Sequence, residues 1–538
     1  MLAIPLKSVA ARLGLAAGAS LVLVVGSLPG SAAAKPTRTQ PGHVDEIVSQ
    51  KASAEPSSTM RVIITRDHSG NDDSDVRNQG GSVVRRLQLG NATVADVPAS
   101  QVAKIAAQPG VVRIAYDAPV KIQQDPLTDC CDRLQSVHPY AVDAVRQWNS
   151  TSKLRGTGIG VAVIDSGVRD SHPDFMGANV WDPSTKRVPQ VLNGIVGATG
   201  SGQDDNGHGT FVAGIIAGRG WGLPWMQDFG KYIGIAPDAN IISIKVSDST
   251  GMAHVSDVIS AIEWVAKNRQ AYNIRVINLS MVSSMVSSYK TDMLDAAVEL
   301  AWLQGLVVVV ANGNAGPNAN ITSPANDPYV ISVGATDDMG TSATSDDVRA
   351  AFSSYGVTLD GVAKPDLVAP GRRIISALSS RFDTLALQNP ARVVDSGYIR
   401  MSGTSASAPV VSGVVALLLQ ARPSLAPGQV KWLLTHTALP IGGAGTGSGY
   451  PQVGAAVQRF AGGNSNAGLV PNKYLAAAYA AKAGLSVSWD TVSWDTVAWD
   501  TVSWDTVSWD SVSWDCVSWD SVSWDTVSSD TAAFVTAN

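Results

Sequence analysis

Cysteine is scarce. Only Cys130, Cys131 and Cys516 occur in 538 residues. They lack the spacing of zinc ligands, and their odd number leaves at least one thiol without an intrachain partner. Adjacent Cys130 and Cys131 admit a strained vicinal bridge or a pairing elsewhere, but the fold does not hang on a disulfide framework. Charge is scarce too, at 16% of residues against 45% hydrophobic, which excludes a disordered chain and a coiled coil. No Lys or Arg follows Lys482, and no basic patch or long basic helix occurs earlier, so nucleic acid is not an expected partner. Past residue 34 no apolar run is of membrane-spanning length and no apolar anchoring tail is found, so no membrane span is expected in the mature form.

What is abundant is tryptophan: 15 of the 33 aromatics. Eight lie at five-residue intervals from Trp489 to Trp524, each followed by Asp. From Gly484 onward there are nine Asp and no basic residue; without them the chain carries 39 basic against 36 acidic residues. The net charge of −6 therefore belongs to a tail. A helix would advance each Trp by about 140° and scatter them; a strand would alternate them between faces. The tail, residues 485–530, admits binding to a wall polymer, self-association or a spacer role.

The other end reads as a signal peptide, residues 1–34. Lys7 and Arg12 precede an apolar stretch from Leu13 to Leu28, and Ala32–Ala34 offers a small-residue cleavage site. Secretion is expected. The length allows two to four domains at roughly 100–200 residues each. A small α+β unit is expected at about 58–124, from strand signals at 60–65, 83–97 and 111–116 with a helix from Ser100 to Gly110. From 138 to 460, short continuous apolar runs (160–164, 241–246, 276–279, 306–310, 330–333) alternate with helical stretches (256–267, 291–304). Such runs suit a parallel sheet buried on both faces, so an α/β, doubly wound domain is predicted. Active sites in such sheets lie at the strands' carboxyl ends. A Gly/Asn/Ala-rich linker is expected at 461–484.

Three segments carry chemistry. Ala162-Val163-Ile164-Asp165-Ser166-Gly167 puts a carboxylate at the end of a buried strand. Asp204-Asp205-Asn206-Gly207-His208-Gly209-Thr210 frames one His with glycines at a helix start. Met401-Ser402-Gly403-Thr404-Ser405-Ala406-Ser407 places Ser405 at a loop-to-helix turn, where free backbone N–H groups face a developing negative charge. Each alone reads equally well as a helix cap. Together they supply a hydroxyl nucleophile, an imidazole base and a carboxylate that orients it.

These three motifs, in this order, resemble those of the subtilisin-like serine peptidases over roughly residues 138–460. The resemblance implies a serine endopeptidase with a triad of Asp165, His208 and Ser405. Ala311-Asn312-Gly313-Asn314-Ala315-Gly316-Pro317 resembles the family's oxyanion segment, which makes Asn314 a donor beside the Ser405 N–H. Leu279-Ser280-Met281-Val282 occupies the family's substrate-edge strand, and Ser280, Met281, Val282 and Gly313 are implied as substrate-binding. Residues 35–124 look like its inhibitory propeptide, with cleavage near 123–131 and the chain's own propeptide as a partner beside protein substrates. No cofactor is required; Asp174 stands where some relatives place a calcium ligand, and calcium is admitted there. Departures are Phe211 in place of a second His, Ala406 in place of a frequent Met, Val282 in place of Gly, and an unusual insert over 219–232. Two rivals are a catalytically silent binding protein using the peptidase fold as a scaffold, and an esterase, whose G-x-S-x-G elbow is absent.

Overall fold

A computed structural model describes residues 41–67, 72–122, 136–176, 186–195, 200–220, 231–395 and 397–475. The signal segment, Cys130, Cys131 and Cys516, the expected cleavage region, residues 221–230 and the Trp-Asp repeats lie outside the described residues.

The main body is built on an eight-stranded sheet. Its order runs 348–349, 331–337, 307–311, 274–279, 160–165, 240–245, 190–193, with strand 367–370 joined to 331–337. All pairs are parallel except that of 348–349. Every residue of Val307–Ala311 and Gly160–Asp165 is buried, as expected for strands covered on both faces. The five expected strands are present within one to four residues at their ends. The strands at 190–193, 348–349 and 367–370 were not expected, being at most four residues long. Helix Val255–Asn268 starts after His254 in extended conformation. Helix Met293–Leu303 starts at Asp292, whose carboxylate accepts from the N–H of Leu294 and Asp295 and satisfies two otherwise unpaired donors. Against the expectation that no apolar run past residue 34 reaches membrane-spanning length, helix Thr404–Ala421 is apolar and long enough to do so, but 89% of it is buried as the body's central helix.

The N-terminal unit has a five-stranded sheet, ordered 43–44, 111–116, 59–66, 93–98, 82–86. It starts earlier than the expected 58: strand His43–Val44 pairs with 113–114 and helix Glu46–Ala54 follows. Only Val48 of that helix is buried, too little periodicity to read from sequence. Strand alternation divides this sheet's two faces. Val62, Ile64, Ala95, Val97 and Ile114 form the unit's own core with Val48, Val102 and Ile105. Ile63, Val94 and Ala115, with Leu87 and Leu89, belong instead to the core of the main body.

Polar contacts edge this seam. The Asp117 carboxylate accepts from the Ser256 N–H at 3.0 Å and its hydroxyl at 2.7 Å, capping helix Val255–Asn268. Arg85 donates to the Gly194 carbonyl at 2.9 Å. The Leu89 N–H donates to Glu263 at 2.8 Å. Arg113 holds Asp45 in a two-bond pair at 2.6 and 2.7 Å and reaches across to the Thr291 carbonyl and the Tyr474 hydroxyl.

The stretch expected to begin a linker at 461 is docked through residue 475. Asn466 accepts from the Trp302 indole at 3.1 Å, the Asn472 N–H donates to Glu299 at 2.8 Å, and the carbonyls of Leu469 and Val470 accept from Tyr329 and Tyr289. Its asparagines satisfy buried groups that composition alone does not reveal.

Candidate active site

Asp165 closes the central strand Gly160–Asp165, and His208 opens helix His208–Ala217. The two loops that present them touch: a Cβ on Gly209 would lie 2.0 Å from the Gly167 carbonyl oxygen, so no other residue fits at 209. His208 Nδ1 lies 2.8 Å from Asp165 Oδ1, which also accepts from the Ser166 N–H at 2.7 Å. His208 Nε2 is buried and has no hydrogen-bond partner. The imidazole is thus oriented at one nitrogen, with the other left to exchange a proton.

Ser405 lies in the first turn of helix Thr404–Ala421. Its carbonyl accepts from the Ser280 hydroxyl at 3.0 Å. Ser280 accepts in turn from Asn278 at 2.9 Å, and Ser412 donates to Asn278 at 2.8 Å. A buried polar chain therefore locks the strand end at 278–280 to the helix that carries the nucleophile. Asn278 and Ser412 were missed by sequence reasoning, because nothing local distinguishes them from other polar residues.

Asn314 Oδ1 accepts from the Thr404 N–H at 2.9 Å and its hydroxyl at 3.0 Å. Those two donors fix the amide's sense, so Asn314 Nδ2, buried and without a partner, is the donor left available. The Gly313 N–H donates to the same Thr404 hydroxyl at 3.1 Å, and Gly313 has φ +98°, a left-handed conformation that favours glycine. Asp165, His208, Ser405 and Asn314 are thereby all tied to the carboxyl-end loops and helix starts.

Strand Met281–Ser283 pairs antiparallel with Pro119–Ile122 of the N-terminal segment, setting Met281 opposite Ile122 and Val282 opposite Lys121. The other edge of Pro119–Ile122 pairs with Met252–His254. Segment 119–122 thus lies as the middle strand of a three-stranded sheet whose outer strands belong to the body. Met281 is buried in the body's core while Val282 is half-buried against it. Asp165 and His208 have no solvent exposure and Ser405 has 1%.

The surroundings of Asp174 do not suit calcium. Its carboxylate accepts from the Tyr398 hydroxyl at 2.9 Å, and its carbonyl accepts from the Arg187 guanidinium. A guanidinium at that carbonyl opposes a dication. Among the described residues no group of three or more His, Cys, Asp or Glu is placed to hold a metal.

The site thus consists of a parallel α/β sheet that pairs Asp165 with His208 and an Asn314 amide set against Thr404, the residue before Ser405. Residues 156–478 match the subtilase family, Peptidase S8. The serine protease AprX of Bacillus subtilis (strain 168) is 38% identical over 303 residues, covering 55% of this chain and 64% of AprX, less than two thirds of its length. Subtilisin NAT of Bacillus subtilis subsp. natto is 31% identical over 388 residues, 71% of this chain and 85% of that protein. Fervidolysin of Fervidobacterium pennivorans shares the fold, with a TM-score of 0.59 and 24% identity over 79% of this chain and 64% of its own. The chain belongs to the subtilase family.

Proposed function

We propose that this chain is a secreted serine endopeptidase that cleaves peptide bonds through an acyl-enzyme and is silent until its N-terminal unit is removed. The observation that carries the catalytic part is the His208–Asp165 hydrogen bond at 2.8 Å beside a His208 Nε2 without a partner. Ser405 Oγ attacks the scissile carbonyl while His208 takes its proton. Asp165 steadies the imidazolium without being protonated itself. Negative charge grows on the carbonyl oxygen, where the Asn314 amide and the Ser405 N–H donate. The bond to the amine then breaks as His208 returns the proton. Water, deprotonated by His208, releases the acyl group and regenerates Ser405.

The silent state is supported by strand 119–122, which occupies the edge where a substrate's backbone would pair. Asp165, His208 and Ser405 are at most 1% exposed with that strand in place. Residues 41–122 accordingly act as a propeptide, with the chain cut downstream of Ile122. Val282 puts a side chain on the substrate-edge strand, which disfavours large aromatic side chains in the first pocket. The Trp-Asp tail is read as a separate binding or spacer element.

The test is to express residues 35–538 and the Ser405→Ala variant. The wild type is expected to shed its N-terminal unit and hydrolyse casein; the variant is expected to do neither. A wild type that remains uncut and inert would refute the reading. A peptide-library profile dominated by Phe and Tyr would refute the pocket assignment.

A further inference from the structure

The two loops that bear Asp165 and His208 are joined by a carboxylate outside the triad. Asp204 is 7% exposed. Its Oδ1 accepts from the Ser166 hydroxyl at 2.8 Å and the Gly207 N–H at 2.7 Å. Its Oδ2 accepts from the Thr210 N–H at 2.8 Å and the Thr210 hydroxyl at 2.6 Å. The partners continue the linkage. Ser166 Oγ accepts from the Gly209 N–H at 2.9 Å, and Thr210 Oγ1 accepts from the Arg169 N–H at 3.0 Å. Every donor to the Asp204 carboxylate thus lies within two residues of Asp165 or of His208.

We propose that Asp204 is the positioning residue of the Asp165–His208 pair: one carboxylate with four donors sets the two loops, and through them the direction in which the imidazole presents Nε2. A mere helix cap would draw its donors from helix His208–Ala217 alone. Here one donor is Ser166, the immediate neighbour of Asp165 on the other loop. Asp205, next in sequence, has no such role: its side chain is 57% exposed and pairs with Lys245.

The chemistry requires a carboxylate. Four donors converge on two oxygens, so an amide would turn an N–H toward donors and lose at least one bond. Burial, partly offset by these donors, pushes the Asp204 carboxyl up to about 6. Around it stand Asp165 and His208 themselves, Arg169 through its N–H, Lys245 donating to the Ser166 carbonyl, and Asp383 beside Gly207. Protonation below about pH 6 removes an acceptor, so kcat should fall as Asp204 takes up its proton.

This inference rests on the peptidase reading, and the experiment keeps the two apart. Matured enzyme is titrated at Ser405 with an organophosphorus acylating-site reagent, and kcat is expressed per titrated serine. A wild type that neither reacts nor cleaves sinks the peptidase reading before any variant is compared. With active wild type, Asp204→Asn is expected to lower kcat about 10- to 100-fold with little change in KM. It is expected to lose the part of the acid decline near pH 6 that Asp204 supplies in the wild type. Ser166→Ala and Thr210→Val each remove one donor and keep the charge, and are expected to lose about 3- to 10-fold. They carry the test if Asp204→Asn does not fold. Unchanged kcat per titrated serine and an unchanged acid limb in the variants that fold would overturn the proposal and leave Asp204 a structural cap.

Discussion

The two β-sheets of this molecule differ in who owns their cores. The body's sheet is covered on both faces by its own helices, and its strands Gly160–Asp165 and Val307–Ala311 are buried end to end. The N-terminal sheet owns only one face. Its other face, through Ile63, Val94 and Ala115, is finished by residues of the body. A sheet of this size freed from its partner exposes that half of its apolar surface, and small units have little stability to spare. The seam is also incompletely filled, with a cleft of about 520 Å³ lined by Asp45 and Arg113 on one side and Thr291 and Asp292 on the other. One region closes its core by itself, and the other depends on its neighbour to do so.

Four measurements would break or sharpen this contrast. The largest effect belongs to the body. Asn314→Ala removes the proposed oxyanion donor and is expected to cut kcat about 100- to 1000-fold, with KM little changed, in steady-state kinetics. An equal rise in KM would mean that Asn314 serves binding and not the transition state. The second effect belongs to the seam. In uncut Ser405→Ala chain, adding Asp117→Ala leaves the start of helix Val255–Asn268 without its cap, a loss of about 1–3 kcal/mol. Hydrogen exchange should quicken in strands 59–66 and 93–98 and stay unchanged in 160–165 and 307–311. Equal loosening of both sheets would show that they form one cooperative unit.

The third concerns the body's acid sensitivity. His138 is buried with neither ring nitrogen hydrogen-bonded, and burial lowers it to about 3. Its folded pKa lies below the unfolded value of 6.5, so the stability tied to its neutral form is present above pH 6.5. That stability is lost as pH falls toward 3, by up to about 1.4 kcal/mol per pH unit. His138→Leu should flatten the decline of melting temperature between pH 6.5 and 4; an unchanged decline would show that His138 is not the source of the acid sensitivity. The smallest effect is none at all. Deleting 485–538 should leave kcat/KM and the melting temperature of the body unchanged, and a body that fails to fold without the tail would undo the division.

Asp165, His208 and Ser405 stood out because each sits in a short segment whose glycines and small residues are dictated locally. The alternating apolar runs likewise revealed the parallel sheet. What stayed hidden depends on distant partners. Asp204 and Asp205 are indistinguishable in sequence, and only the fold turns the first toward both catalytic loops and the second toward solvent. Pro119–Ile122 is too short to announce itself as a strand, and its partners lie more than 120 residues away. The asparagines at 466 and 472 looked like linker because their value lies in the buried groups they satisfy.

The reach of Arg113 to Tyr474 has a consequence in time. The two residues are 361 positions apart, and a chain is synthesised from its N-terminus. Asp117 and Arg85 find their partners in residues made well before Ser405. Tyr474 is translated after the whole triad exists. Its contact with Arg113 is therefore the last joint of the seam to become available, and it closes only on a chain already long enough to hold the complete catalytic apparatus.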